Sequence, residues 1–286
     1  MKQFLLILFI IGLIGCNVNS ESSLKQVMSF GDKENVSYVS LNNKNDTLFV
    51  SMFTKDEQNK TLFYANIYRD GKIVKTIQNA TKAVFDVNGK FYAYIKEKTL
   101  YINDVQGKVI NKIPVNDFIE SLSWTYDSRY IYLCEQGQKY IIYRIEIEKG
   151  TKEVVLESKK VYFHPIPVKD SNVIYLLENR YPGDVEPDCF IIKYDLSTKT
   201  FESVQIPISY SIYEDFSISS DAKIVAFLNM SDAFIYIIDI SKSKVLDKIK
   251  IPRFSHPNMY GWKVDGSYAL FSFTLKDIYK YIIPKN

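Results

Sequence analysis

Six times along the chain a turn-forming Asp or Asn is followed, three residues later, by a short run of apolar and aromatic residues. The runs start from Asn45 (N-D-T-L-F-V-S), Asn88 (N-G-K-F-Y-A-Y), Asp127 (D-S-R-Y-I-Y-L), Asp170 (D-S-N-V-I-Y-L), Asp221 (D-A-K-I-V-A-F) and Asp265 (D-G-S-Y-A-L-F). Successive spacings are 43, 39, 43, 51 and 44 residues. A unit of that length made only of short strands has two apolar faces and cannot bury both alone. Arranged around an axis, such units cover one another and form a β-propeller, one repeat per blade. The sequence therefore predicts an all-β, six-bladed β-propeller.

Each repeat also carries a second hairpin signal. Polar turns at 68–72, 103–108, 148–152, 195–199 and 239–244 supply the Gly, Asp, Asn and Ser that tight hairpins need. They are expected between the third and fourth strands of blades one to five. The sixth repeat is one strand short, because its third strand, at 278–283, runs into Pro284-Lys285-Asn286. An open ring would leave an unpaired sheet edge, which natural proteins avoid. The spare apolar segment at 24–30 is expected to become the outer strand of blade six and to close the ring.

The N-terminus has Lys2, an eleven-residue apolar run at 4–14, and then Gly15-Cys16. A spanning helix needs about 20 apolar residues, so this run reads as a signal-peptide core. Leu13-Ile14-Gly15-Cys16 resembles the bacterial lipoprotein lipobox. That resemblance implies a signal peptide over 1–15, a diacylglyceryl group on the Cys16 sulfur, a polar tether over 16–23 and one propeller domain over 24–286. The expected place is the cell envelope, anchored to a bacterial membrane (the outer membrane is favoured) and facing the periplasm or the exterior. An ordinary signal peptide with a coincidental cysteine is the alternative.

Little in the sequence points to catalysis. With 36 basic and 33 acidic residues interspersed, the net charge of +3 leaves no electrostatic footprint for nucleic acid. There is no G-x-S-x-G elbow, H-E-x-x-H helix motif, phosphate-binding glycine loop or C-x-x-C pair. No catalytic residue, metal ligand or cofactor is assigned. The two histidines, His164 and His256, each precede a proline and are expected near loops entering innermost strands, as packing groups rather than ligands. Cys134 and Cys189 fall in strands of neighbouring blades, as buried thiols or, in an oxidising compartment, as a disulfide. Tyr92, Tyr94, Tyr130, Tyr132 and Tyr143 are expected to pack between blades.

The most distinctive segment is 179–188, N-R-Y-P-G-D-V-E-P-D, expected between the second and third strands of blade four. In a propeller such connections share a face with those that lead from one blade to the next. That face is expected to gather Arg180, Tyr181, Asp184, Glu186, Tyr213, Glu214, Arg253 and Tyr260 as a polar-aromatic binding surface. Aromatic rings stack on sugars or peptide groups while carboxylates and guanidinium groups fix orientation.

An aromatic residue often precedes the first turn of a repeat: Phe85, Trp124, Phe216 and Trp262. With W-T-Y-D-S-R-Y-I-Y-L from Trp124 and W-K-V-D-G-S-Y-A-L-F from Trp262, the chain resembles the TolB-like six-bladed propeller family. Its repeat reads roughly aromatic-S-P-D-G-x-x-I-A-F. The proline is absent from every copy here, and the glycine is kept only at Gly89 and Gly266. Similar repeats occur in the propellers of prolyl-oligopeptidase-type enzymes and in bacterial surface lipoproteins. The latter share the lipobox and the lone propeller. The expectation is a monomeric binding or scaffold module for an envelope protein, peptide or glycan. The alternative is a carbohydrate-active hydrolase or lyase with its site in the central funnel.

Overall fold

The computed structural model describes residues 24–42, 47–116, 118–179, 189–204, 206–207, 216–229, 232–251, 258–262, 267–272 and 275–283. Twenty-four strands and no helix occur among them, in six antiparallel sheets of four. The first strand, β1 (Leu24–Ser29), belongs to the last sheet. Blade one is β2 (Asn35–Asn42), β3 (Thr47–Lys55), β4 (Thr61–Arg69) and β5 (Lys72–Gln78). Blade two is β6 (Thr81–Phe85), β7 (Phe91–Lys96), β8 (Thr99–Asp104) and β9 (Val109–Pro114). Blade three is β10 (Ile119–Trp124), β11 (Tyr130–Gln136), β12 (Tyr140–Glu146) and β13 (Lys152–Ser158). Blade four is β14 (Val161–Pro167), β15 (Val173–Asn179), β16 (Cys189–Asp195) and β17 (Thr200–Val204). Blade five is β18 (Phe216–Ile218), β19 (Ile224–Asn229), β20 (Phe234–Asp239) and β21 (Lys244–Lys250). Blade six is β22 (Asn258–Trp262), β23 (Tyr268–Ser272) and β24 (Asp277–Ile282), with β1 as its outer strand. The chain is a six-bladed β-propeller.

The second strand of each blade is apolar on both faces because both are covered. In β15, Ile174 and Leu176 join a cluster with blade three, while Tyr175 and Leu177 join one with blade five. In β19, Val225 and Phe227 face blade four, and Ala226 and Leu228 face blade six. The strand period of two thus divides each run between two neighbours. Six apolar clusters result, one between each pair of adjacent blades around the ring. Each fully buried Val, Leu, Ile or Phe in them contributes about 1.5–3 kcal/mol.

Ring closure follows the expectation. β1 pairs antiparallel with β24, Lys25 opposite Lys280 and Gln26 opposite Tyr279. Met28 and Phe30 then pack on the cluster shared by blades six and one. The Lys276 ammonium adds a clamp, donating to the carbonyls of Asp32 and Glu34 at 2.6 Å each and of Gly31 at 3.3 Å. First and last blades are therefore joined by ladder, packing and charge-assisted hydrogen bonds.

Blades are also stapled near the axis. The Ser51 Oγ accepts from the Ala83 amide and the Ser40 Oγ from the Phe85 amide, both at 2.9 Å. The Lys82 Nζ donates to the Glu120 carbonyl at 2.7 Å. Five of the six innermost strands shift register at equivalent places: β2, β6, β10, β14 and β22. A bulge of this kind re-aims side chains where strands crowd around an axis. Two of the bulged residues, Lys82 (φ 49°) and His164 (φ 53°), take the left-handed conformation.

Candidate functional site

The innermost strands line a half-open cavity of about 160 Å³ on the propeller axis. Tyr38 and Ser40 of β2, Phe85 of β6 and Ser121, Ser123 and Trp124 of β10 contribute to its wall. His164 of β14, Phe216 and Ser217 of β18 and Leu270 of β23 also line it. Val87 and Tyr126, in the turns between first and second strands, lie at one end. No Asp, Glu, Lys or Arg lines the cavity among the described residues. Among the described residues the wall is aromatic and aliphatic, with the hydroxyls of serine and tyrosine and the imidazole of His164.

The polar groups of that wall divide into two kinds. Some are spent on the ring itself: Ser40 accepts from Phe85, and the Ser123 hydroxyl donates to the Pro165 carbonyl. Others are unsatisfied. Ser121 is 6% and Trp124 5% exposed, and the buried Ser121 Oγ and Trp124 Nε1 have no hydrogen-bond partner among the described residues. A buried donor left without a partner costs about 1–3 kcal/mol, so native interiors rarely keep one without a use. Trp124 is held by its ring, which stacks on Phe91 at 6.1 Å and 8° and joins the cluster between blades two and three.

At the turn end, burial pushes the Tyr126 hydroxyl up to about 12, with the Asp221 carboxylate of blade five adding to the effect. Tyr126 therefore stays neutral through the physiological range. His164 lies beside Phe216, ring centroids 6.5 Å apart. The sequence puts His164 near a loop entering an innermost strand; it lies within that strand, β14. The His164-Pro165 pair forms the bulge between Phe163 and Ile166, and proline's missing donor is tolerated where the ladder is already broken.

Of the loop-face residues, Arg180, Tyr181, Asp184, Glu186, Tyr213, Glu214 and Arg253 lie outside the described residues, as do Cys16 and His256. Tyr260 is described by its backbone alone, at the register shift of β22 between Met259 and Gly261. The strand ends that flank these segments are clear. Asn179 and Cys189, Val204 and Phe216, and Lys250 and Asn258 all end or begin strands on one face of the ring, opposite Val87 and Tyr126.

That face is braced from below by two buried carboxylates at matching positions. Glu178, near the end of β15, is 3% exposed and accepts from the Lys160 Nζ at 3.1 Å and the Tyr162 hydroxyl at 3.2 Å. Glu135, its counterpart in β11, is 2% exposed and accepts from the Lys152 Nζ at 2.5 Å and the Asn116 Nδ2 at 2.6 Å. In both blades the second strand is tied to the segment that enters the first. Cys134, next to Glu135, is a free buried thiol that donates to the Tyr162 carbonyl at 3.2 Å. Burial, with Glu120 and Glu135 nearby, pushes that thiol up to about 12, so it is an unreactive packing group.

No protein-family model matches the sequence, and no curated protein matches it. Among solved structures the chain is similar to Kuenenia stuttgartiensis hydrazine synthase, at 8% identity and a TM-score of 0.62, covering 90% of this chain and 98% of that one. It is similar to TolB from Acinetobacter baumannii at 12% identity and 0.54, covering 73% of this chain and 53% of TolB. It is also similar to oligogalacturonate lyase from Vibrio parahaemolyticus at 12% identity and 0.53, covering 90% and 91%. Identities this low show the shared propeller fold and nothing finer. TolB and other propellers are thus its structural neighbours.

Proposed function

We propose that this chain is a binding module of the bacterial cell envelope, held to a membrane by a lipid on Cys16. Its partner is a protein, peptide or glycan, taken up on the face bearing Arg180, Tyr181, Asp184, Glu186, Tyr213, Glu214, Arg253 and Tyr260. One observation supports this: the three connections that carry all of these residues but Tyr260, which lies near the start of β22, run between strand ends on a single face of the closed ring. A rigid ring that presents irregular connections side by side is suited to recognition. The clamp on Glu178 holds the strand that leads into the 180–188 segment. The envelope setting is supported by the lipobox-like Leu13-Ile14-Gly15-Cys16 and by the TolB neighbour.

Two experiments test it. Cys16→Ser should release the protein from membranes and abolish lipid labelling; fractionation like wild type would refute the anchor. Affinity capture from envelope extracts should lose its specific partner in an Arg180→Ala, Tyr181→Ala variant. Identical capture by both proteins would remove the blade-four segment from the site.

A second reading is a carbohydrate-active hydrolase or lyase, favoured by His164 in the cavity wall and by the lyase among the structural neighbours. It predicts turnover of a polysaccharide that is lost in His164→Asn, a residue that tolerates the left-handed backbone there. Equal turnover by wild type and variant would refute it.

A further inference from the structure

We infer that blades six, one and two seat the protein on a membrane through the face that carries the turns between their third and fourth strands. The partner is the anionic phospholipid headgroup layer of the membrane that holds the Cys16 lipid. The inference rests on that anchor for bringing the ring to the bilayer, and it turns the loop face away from the membrane.

The composition of this turn face fits a membrane boundary. Ile282, at the end of β24, and Ile73 and Val74, just past the 69–72 turn of blade one, are about half exposed. In blade two the exposed Val105 and Val109 flank Lys108. Exposed cations stand among these aliphatic groups: Lys25, Arg69, Lys72 and Lys108. Two carboxylates oppose them. Asp70 is at the tip of its turn, and Asp104 is spent on accepting from the Lys108 amide at 2.8 Å. Aliphatic tips enter the edge of the acyl layer while long cationic side chains reach the phosphates. With the chain already tethered, such a surface needs only to set its orientation.

Exposed apolar groups occur on the loop face too, at Leu62, Phe63 and Phe118, so the exit point of the tether decides between the faces. β1 begins at Leu24, opposite Tyr281, next to Ile282 on the turn face. Ser29, opposite Asp277, marks the other end of the ladder, where β23 leads into β24 on the loop face. Leu24 is eight residues from Cys16, a reach of at most about 29 Å. A blade built of six-residue strands such as β1 is about 20 Å tall. Seating the turn face uses almost none of that reach. Seating the loop face would use about 20 Å on running back along the blade, leaving about 9 Å for the connections that project there.

The test reconstitutes the lipid-modified protein into vesicles of phosphatidylethanolamine and phosphatidylglycerol that contain a headgroup-spin-labelled lipid. A fluorophore is placed at Gln106→Cys, in the blade-two turn, or at Phe118→Cys, in the connection from blade two to blade three on the loop face. Both are made in a Cys189→Ser background, and Cys134 is buried and unreactive. Because about 20 Å of blade separates the two positions, the label at 106 should be quenched at least about threefold more than that at 118. Lys72→Gln with Lys108→Gln should reduce that preference by at least about half, since each cation near an anionic surface adds to the attraction. Equal quenching at the two positions, stronger quenching at 118, or a preference unchanged by the two substitutions overturns the proposal. The mass of the N-terminal peptide reads the anchor separately. Lipid present without a preferred face refutes this surface and leaves the anchor standing. If the lipid is absent, the anchor fails and the surface is judged on the chain from residue 16 onward, which keeps all six sheets. At low ionic strength that chain should bind phosphatidylglycerol vesicles at least about tenfold more tightly than phosphatidylcholine vesicles, and equal or absent binding overturns the proposal.

Discussion

Replacing Lys152 by Met gives the sharpest test of how the loop face is braced. Glu135 is 2% exposed and depends on the Lys152 ammonium at 2.5 Å, the Asn116 amide side chain at 2.6 Å and the Asn116 backbone N–H at 3.4 Å. The same ammonium lies 3.8 Å from the centre of the Tyr143 ring. Removing one partner of a buried ion pair costs about 3–5 kcal/mol, because the remaining charge stays desolvated. Lys152 is 22% exposed and Asn116 remains in place, which brings the expected cost to about 3 kcal/mol. With a urea m-value of about 3 kcal/mol/M for a domain of this size, the midpoint should fall by about 1 M. Lys139→Met is the internal control: that pair with Glu157 is 48% and 45% exposed, and such surface pairs are worth about 0–1 kcal/mol. Glu135→Gln in the Lys152→Met background should recover at least half of the loss, since it removes the stranded charge. A Lys152→Met midpoint no lower than that of Lys139→Met, or purely additive costs in the double variant, would refute the buried-charge account.

Other outcomes follow from backbone and titration. Gly89 has φ +64°, and a Cβ there would sit 2.4 Å from the Asn42 Oδ1, whereas at Gly71 (φ +73°) a Cβ would meet nothing within 4 Å. Gly89→Ala should therefore lower the melting temperature clearly more than Gly71→Ala, which carries only the backbone cost of about 1 kcal/mol; equal shifts would refute the crowding. Tyr126 has its hydroxyl raised to about 12 in the fold, above the usual 10, so the unfolded chain loses that proton first. Its contribution is thus intact below pH 10 and is lost as pH rises from 10 through 12. Tyr126→Phe should lose less stability than wild type across that window in urea titrations, and an unchanged slope would refute burial of the hydroxyl.

The ring was legible in the sequence because its determinants are local. The Asp or Asn turns, the hairpin signals and the two-sided apolar runs each act within one blade. Even closure could be counted, since a blade short of one strand and a spare segment at the other end leave one solution. The axial cavity was not legible. It arises from five register shifts in innermost strands and from which side chains those shifts turn inward, a property of six blades packed together. Trp124 could be noticed as a repeat-marking aromatic, but its unsatisfied N–H depends on neighbours from other blades. Ser121 left only the faint signal of two serines on one face of β10. That His164 lies within β14 rather than beside it was not legible either, because His-Pro reads as a loop until the bulge is seen.

Closure of the ring by its first strand supports everything else, including the common face of the blade connections and the enclosed axis. Lys25 and Lys280 stand opposite each other in the β1–β24 ladder. Opposed residues of an antiparallel pair lie about 4.5–5.5 Å apart at Cα, within reach of a disulfide. In a Lys25→Cys, Lys280→Cys variant, mild oxidation followed by peptide mapping should yield one intramolecular cross-link between positions 25 and 280, formed in the folded monomer and not when the chain is unfolded before oxidation. Free thiols at both positions, or cross-links only between molecules, would contradict the closed six-bladed ring.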